Sequence, residues 1–243
     1  MAKLTPPRIE SFDLEPGRIL AGKYCVVTKL GSGWEGEVYG VVETRTGIER
    51  AAKLFYPHRN PKNRTARQYA KRLHKLRHCP LLIQYHTEEV ITFRRLPITV
   101  FISEYVEGEL LSDFLRNFPG KRLNPFEAMH FLYALANGVE QVHLENEYHG
   151  DIHQDNLIVS RYGLDFDLKL LDLFHLDATK AENKRSDICN IIYLFYEVLG
   201  GAKHYARQPD AVKYICCGLK QSLILKKFPT MSQLCKHLET MTW

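Results

Sequence analysis

His149-Gly150-Asp151-Ile152-His153-Gln154-Asp155-Asn156 sets an acid and an amide five residues apart, behind a histidine and a glycine. Asp and Asn near glycine are also ordinary turn residues, because their short side chains bond the neighbouring backbone. Alone, the octet fits a turn as well as a polar site. Three other stretches narrow the choice. Downstream, Leu170-Leu171-Asp172-Leu173-Phe174 carries an acid out of an apolar strand pattern. Upstream, Gly31-Ser32-Gly33-Trp34-Glu35-Gly36-Glu37-Val38 spaces three glycines as GxGxxG. That spacing is weak by itself, since it arises by chance and in dinucleotide-binding folds. Here it lies between two alternating, strand-like segments, residues 24–30 and 37–42, and not between a strand and a helix. Ala51-Ala52-Lys53 then places a lysine in the next apolar strand, 49–55, where the bland alternative is an edge-strand charge.

The rest of the chain frames these motifs. Residues 1–18 are rich in proline and charge and read as a loose arm. Residues 60–78 read as a strongly basic helix with Tyr69, Leu73 and Leu76 on one face; strands follow at 90–93 and 97–104. Beyond Gly108 the pattern turns helical. Asn124-Pro125-Phe126-Glu127 is a helix start, with an Asn cap and Pro at the first position, and the helix is expected to run to about Leu144. A hairpin is expected at 157–160 and 168–171 through Tyr162-Gly163, and helices from Asp187 onward. Five strands with one helix, followed by a helical half, make an α+β plan of two lobes. The expected division is an arm at 1–18 and one domain at 19–243, with lobes at about 19–106 and 107–243.

Taken in order and spacing, these segments resemble the eukaryotic-like (Hanks-type) protein kinase superfamily over roughly residues 16 to 240. The resemblance implies a five-stranded antiparallel N-lobe sheet with one helix and a mainly helical C-lobe. It implies ATP and Mg2+ as cofactors. Asp151 becomes the catalytic base and Lys53 the holder of the α- and β-phosphates, while Asn156 and Asp172 become the metal ligands. The nucleotide site becomes Gly31, Gly33, Gly36, Val38, Ala51, Lys53, Ser103 as gatekeeper, Glu104 and Val106 at the interlobe hinge, and Ile158. Asp187, in Ser186-Asp187-Ile188, matches the helix residue that braces the catalytic loop, and Phe228-Pro229-Thr230-Met231 matches the start of the final helix.

The departures are specific. Gly150 stands where regulated kinases carry an arginine that receives an activation-loop phosphate. Only residues 173–186 separate Asp172 from Asp187, no APE motif lies there, and Phe228 occupies the place of the arginine that pairs with that glutamate. This is a minimal member with a shortened activation segment. Phe174 replaces the glycine after Asp172-Leu173, and His153 replaces a lysine. The basic helix holds no acid, and family spacing would put its lysine-pairing glutamate at Tyr69 or Ala70. Glu35 at the loop tip would repel ATP unless it turns to solvent. Three readings stay open: an active serine/threonine-type protein kinase not controlled by activation-loop phosphorylation, a pseudokinase serving as a nucleotide-binding module, and an atypical small-molecule kinase.

Bulk properties agree with all three. A net charge of +5 over 243 residues suggests an anionic ligand without calling for nucleic acid. Six cysteines without CxxC or CxxH spacing give no zinc site and suit a reducing compartment, cytoplasmic or otherwise intracellular. No apolar run reaches the length of a membrane span. A protein substrate is expected, with an acidic partner protein or polyanion as a further expectation at the basic helix 60–78.

Overall fold

The computed structural model describes residues 8–173 and 178–242. It consists of two units, Met1–Arg77 with Ile83–Val106 and His78–Leu82 with Glu107–Trp243. Phe174 lies outside the described residues.

In the first unit, alternation of apolar and polar residues produces β1 (Ile19–Leu20), β2 (Tyr24–Ser32), β3 (Gly36–Glu43), β4 (Glu49–Phe55), β5 (Tyr85–Phe93) and β6 (Leu96–Glu104). They form one antiparallel sheet in the order β1-β2-β3-β4-β6-β5. The five expected strands are joined by the two-residue β1 at the edge. Helix α1 (Arg64–Lys75) is shorter than the expected 60–78. Lys62 and Asn63 take left-handed φ values of 55° and 60°, which an α-helix cannot continue through. Asn60 Oδ1 instead accepts from Ala66 N at 3.2 Å. Ala66, Tyr69 and Leu73 form the buried face of α1.

The arm needs correction. From Arg8 onward it is not loose: Ile9, Phe12 and Leu14 are buried in the same core as Val26, Tyr39, Val41 and Val100. Phe12 stacks on Tyr56 with centroids 5.4 Å apart and meets Phe93 edge-on at 5.3 Å. Three large apolar side chains among prolines and charges outweigh the composition, because each gains on the order of 2 kcal/mol on burial.

In the second unit, β7 (Glu109–Leu110) leads into α2 (Leu111–Arg116) and α3 (Pro125–Leu144). The Asn124 side chain accepts from Glu127 N at 2.9 Å while Glu127 bonds back to Asn124 N, the reciprocal cap expected there. Strand β8 (Leu157–Tyr162) pairs with β7 on one side and with β9 (Asp165–Leu170) on the other in a small sheet. Residues 78–82 belong here, not with the first unit: Leu170 N donates to Leu81 O at 2.7 Å. Helix α4 (Lys180–Val198) begins seven positions before Asp187 because Thr179 and Glu182 form a second capping box. After it come α5 (Ala202–Tyr205), α6 (Asp210–Cys216), α7 (Gln221–Lys227) and α8 (Met231–Thr240), the last capped by Thr230. Phe228, in the place of the family's arginine, is buried with its ring 5.5 Å from His237. Among the described residues no helix is long and apolar enough to cross a membrane.

Candidate functional site

The glycine stretch of the first unit is a tight hairpin. Gly31 pairs with Val38 and Ser32 with Glu37, and Gly33 N donates to Gly36 O at 2.9 Å to close the turn. The glycines have different reasons to be there. A Cβ on Gly36 would lie 1.9 Å from Leu54 O, so the close approach of β3 to β4 excludes any side chain. At Gly31 and Gly33 a Cβ would meet nothing within 4 Å. The fold makes no steric demand for glycine at those two exposed positions.

Lys53 sits opposite Val38 on one side and Phe101 on the other, on a strand buried from Ala52 to Phe55. Its side chain is 9% exposed. Nζ lies 2.8 Å from Glu35 Oε2 and 5.4 Å from the ring centres of both Phe55 and Tyr69. Glu35 thus turns toward the lysine, and not to solvent. Ala51 pairs with Ser103, which is buried and donates to Glu104 O at 3.3 Å. Glu104 N and Oε1 both bond the backbone of Gln84, and half-buried Val106 ends the unit.

Sequence reasoning missed a buried carboxylate next to the hairpin. Glu37 Oε1 accepts from Ser11 Oγ at 2.9 Å and meets Lys29 Nζ at 3.0 Å. Oε2 accepts from Asp13 N at 3.3 Å and from Tyr39 Oη. Burial alone would raise the carboxyl, but the bonds from Tyr39, Lys29 and Ser11 outweigh it and hold Glu37 below the ordinary glutamate value. Burial, with the bond to Glu37 second, pushes Tyr39 up to about 12. The signal was in the sequence: period-two alternation puts Glu37 on the inward face with Tyr39 and Val41.

In the second unit the loop that opens at His149 is held by buried Asp187. Its Oδ2 accepts from His149 N at 2.8 Å and lies 3.0 Å from His143 Nε2, and its Oδ1 accepts from Gly150 N at 2.9 Å. Gly150 has φ +92°, a conformation that disfavours side chains, so the position of the family's arginine is also a strained one here. Asp151 N donates to His149 Nδ1 at 3.2 Å, which leaves Nε2–H to donate to Leu171 O at 2.7 Å. Asn156 Nδ2 donates to Asp151 O at 3.1 Å and to Asp151 Oδ2 at 2.9 Å. Leu171 N donates to Asn156 O at 2.8 Å. Asp172 follows at φ +44°, a left-handed conformation that aspartate tolerates better than most residues. Asp151, Asn156 and Asp172 are therefore drawn together by bonds on both sides of Leu171. Half-buried Ile158 lies on β8, opposite Leu110 and Lys169.

His153 also faces the acid. Its Nδ1 accepts from Asp155 N at 3.2 Å, and its Nε2 stands 3.6 Å from Asp151 Oδ2. Thr179 is bound into the cap of α4, Ser186 lies within that helix, Lys180 reaches Glu147 at 2.7 Å and Lys184 reaches His143 O at 2.7 Å. On α1, Arg64, Arg67, Lys71 and Lys75 are exposed.

A family model described as the protein kinase domain matches residues 24–233. Human cyclin-dependent kinase 15 is 26% identical over 226 residues, which is 90% of this chain and 49% of that protein. Aurora kinase B of Drosophila melanogaster is 28% identical over 197 residues, 78% of this chain and 55% of that one. The chain spans about half the length of these curated relatives. A crystal structure of a double mutant of the Mycobacterium tuberculosis PknI kinase domain superposes with a TM-score of 0.69. It covers 94% of this chain and 98% of that one at 18% identity, a likeness of fold.

Proposed function

The chain belongs to the protein kinase domain family, and we propose that it is an ATP- and Mg2+-dependent phosphotransferase of the serine/threonine protein kinase type. One observation carries the reading. Leu171, next to Asp172, is bonded through N to Asn156 O and through O to His149, so the segment that carries Asp172 is tied to the loop that carries Asp151 and Asn156. The residues fit the cofactors: Gly31 and Gly33 present exposed backbone without side chains, Lys53 a buried cation, and Asn156 and Asp172 the oxygen donors that Mg2+ prefers. Bound ATP supplies the phosphoryl group, and Mg2+ offsets its charge.

Asp151 is the base. Its Oδ2 is engaged by Asn156, whereas Oδ1 has no hydrogen-bond partner among the described residues and accepts the proton of the attacking hydroxyl. His153 Nε2, near Oδ2, takes the place of the family's lysine. Activity does not wait on phosphorylation between Asp172 and Asp187: Thr179 and Lys180 are committed to the start of α4, and Gly150 offers no cation. The acceptor is a protein, and the exposed cations of α1 take an acidic protein or polyanion that raises activity. The missing acid on α1 favours a second reading, a catalytically silent nucleotide-binding module. Glu35 beside Lys53 weakens it.

The test is transfer of labelled phosphate from ATP to generic proteins, and separately to sugars and aminoglycosides. Asp151→Asn is expected to spare nucleotide affinity and lower turnover by roughly 10²–10⁴-fold. Asp172→Asn is expected to abolish transfer and to weaken magnesium-dependent nucleotide binding. Full activity in Asp151→Asn would refute the kinase reading, and labelling of small molecules alone would move the activity to another acceptor class.

A further inference from the structure

Helix α1 reads Arg64 to Lys75 without a single acid, and the residue it turns toward Lys53 is Tyr69. A buried ammonium needs a carboxylate to fix its direction, because the burial that removes water also removes the partners that would otherwise hold it. The glycine hairpin supplies a carboxylate to it. Glu35 Oε2 stands 2.8 Å from Lys53 Nζ, with the two side chains 23% and 9% exposed.

The hairpin is built to hold Glu35 in place. Gly33 N closes the turn on Gly36 O, and Tyr56 N donates to Glu35 O at 2.9 Å, so the backbone of Glu35 is tied to the end of β4. The guanidinium of Arg59 lies 3.7 Å over the ring of Trp34, the adjacent residue. Gly36 lets the turn lie against Leu54, where any side chain would collide. Glu35 is therefore part of a pinned tip.

Resting on the nucleotide-site reading above, we propose that Glu35 is the positioning residue for Lys53 and supplies from the phosphate loop what an acid on α1 would otherwise supply. The Glu35 pair lies within the hairpin and β4, while Tyr69 of α1 faces the same ammonium. The rival account gives the same pair the opposite sign: a carboxylate at the loop tip that only repels phosphates and occupies the lysine.

The experiment measures binding of Mg·ADP by calorimetry and transfer from ATP, for the full chain and for Glu35→Gln. The positioning role predicts ADP affinity lower by roughly 10-fold and kcat/KM lower by roughly 10- to 100-fold, the range of a lost charge-assisted hydrogen bond. Melting is expected to fall, since Gln leaves the buried Lys53 ammonium without this carboxylate, so binding and transfer are both measured below the melting range of the variant. Glu35→Asp, which keeps the charge, is expected to recover part of the affinity. Tighter ADP binding by Glu35→Gln establishes the repulsive account and overturns this one, and unchanged binding and transfer overturn it equally. A wild-type chain that binds ADP without transferring phosphate would refute the kinase reading alone. In that case the ADP affinities of the two proteins still decide the role of Glu35.

Discussion

Asp187→Asn tests the brace beneath the Asp151 loop. The carboxylate is fully buried and serves two backbone donors, His149 N at 2.8 Å and Gly150 N at 2.9 Å, with His143 Nε2 at 3.0 Å. The amide keeps one acceptor oxygen and turns an NH2 toward a donor that it cannot satisfy. One buried N–H is left without a partner, at about 1–3 kcal/mol, and the remaining bonds lose their charge assistance. The sum is about 3 kcal/mol. For a chain of this size that lowers the melting midpoint by about 6–12 °C. Transfer is expected to fall as well, because His149 and Gly150 position Asp151, while a loss of nucleotide affinity on the glycine hairpin is not expected. The assay pairs thermal melting with steady-state transfer below the melting range. A midpoint within about 2 °C of the wild type, together with unaltered turnover, would show that the loop is held by other contacts and refute the reasoning.

Three further outcomes are expected. Glu37 is a depressed carboxyl, so its contribution to stability is complete above the ordinary value of 4.5 and is lost as pH falls through its lower native value. Melting from about pH 6 down to about pH 3 should therefore steepen in the wild type and flatten in Glu37→Gln, and parallel curves would count against the network. Phosphatase treatment should leave the transfer rate unchanged, whereas Thr179→Ala should cost about 1 kcal/mol of stability through the lost cap without changing the rate below its melting range. A large drop in rate on dephosphorylation would show a regulatory phosphate that the fold does not anticipate. Because Ser103 is small and buried, bulky-substituted nucleotide-site inhibitors should bind, and Ser103→Met should exclude them while retaining ATP. Unaltered inhibitor affinity would mean that Ser103 is not the gatekeeper.

Local chemistry made much of the fold legible in advance. The strands alternate because one sheet face is buried, and α3 begins where Asn124 and Glu127 can cap each other. The motif residues were readable for a similar reason: their spacing along the chain is itself the constraint, as with Asp151 and Asn156, which lie five residues apart and touch at 2.9 Å. What depends on partners distant in sequence was not readable. Composition marked residues 1–18 as loose, yet Phe12 finds Tyr56 and Phe93, because burial rewards three side chains however polar their neighbours are. The start of α4 was misplaced because the Thr179–Glu182 cap sits outside the expected apolar pattern. Glu35 read as a liability, since a linear sequence shows a negative charge beside a phosphate loop but not the direction of its side chain. That direction is set by the turn closed between Gly33 and Gly36 and by the approach of β3 to β4, which only the folded chain brings about.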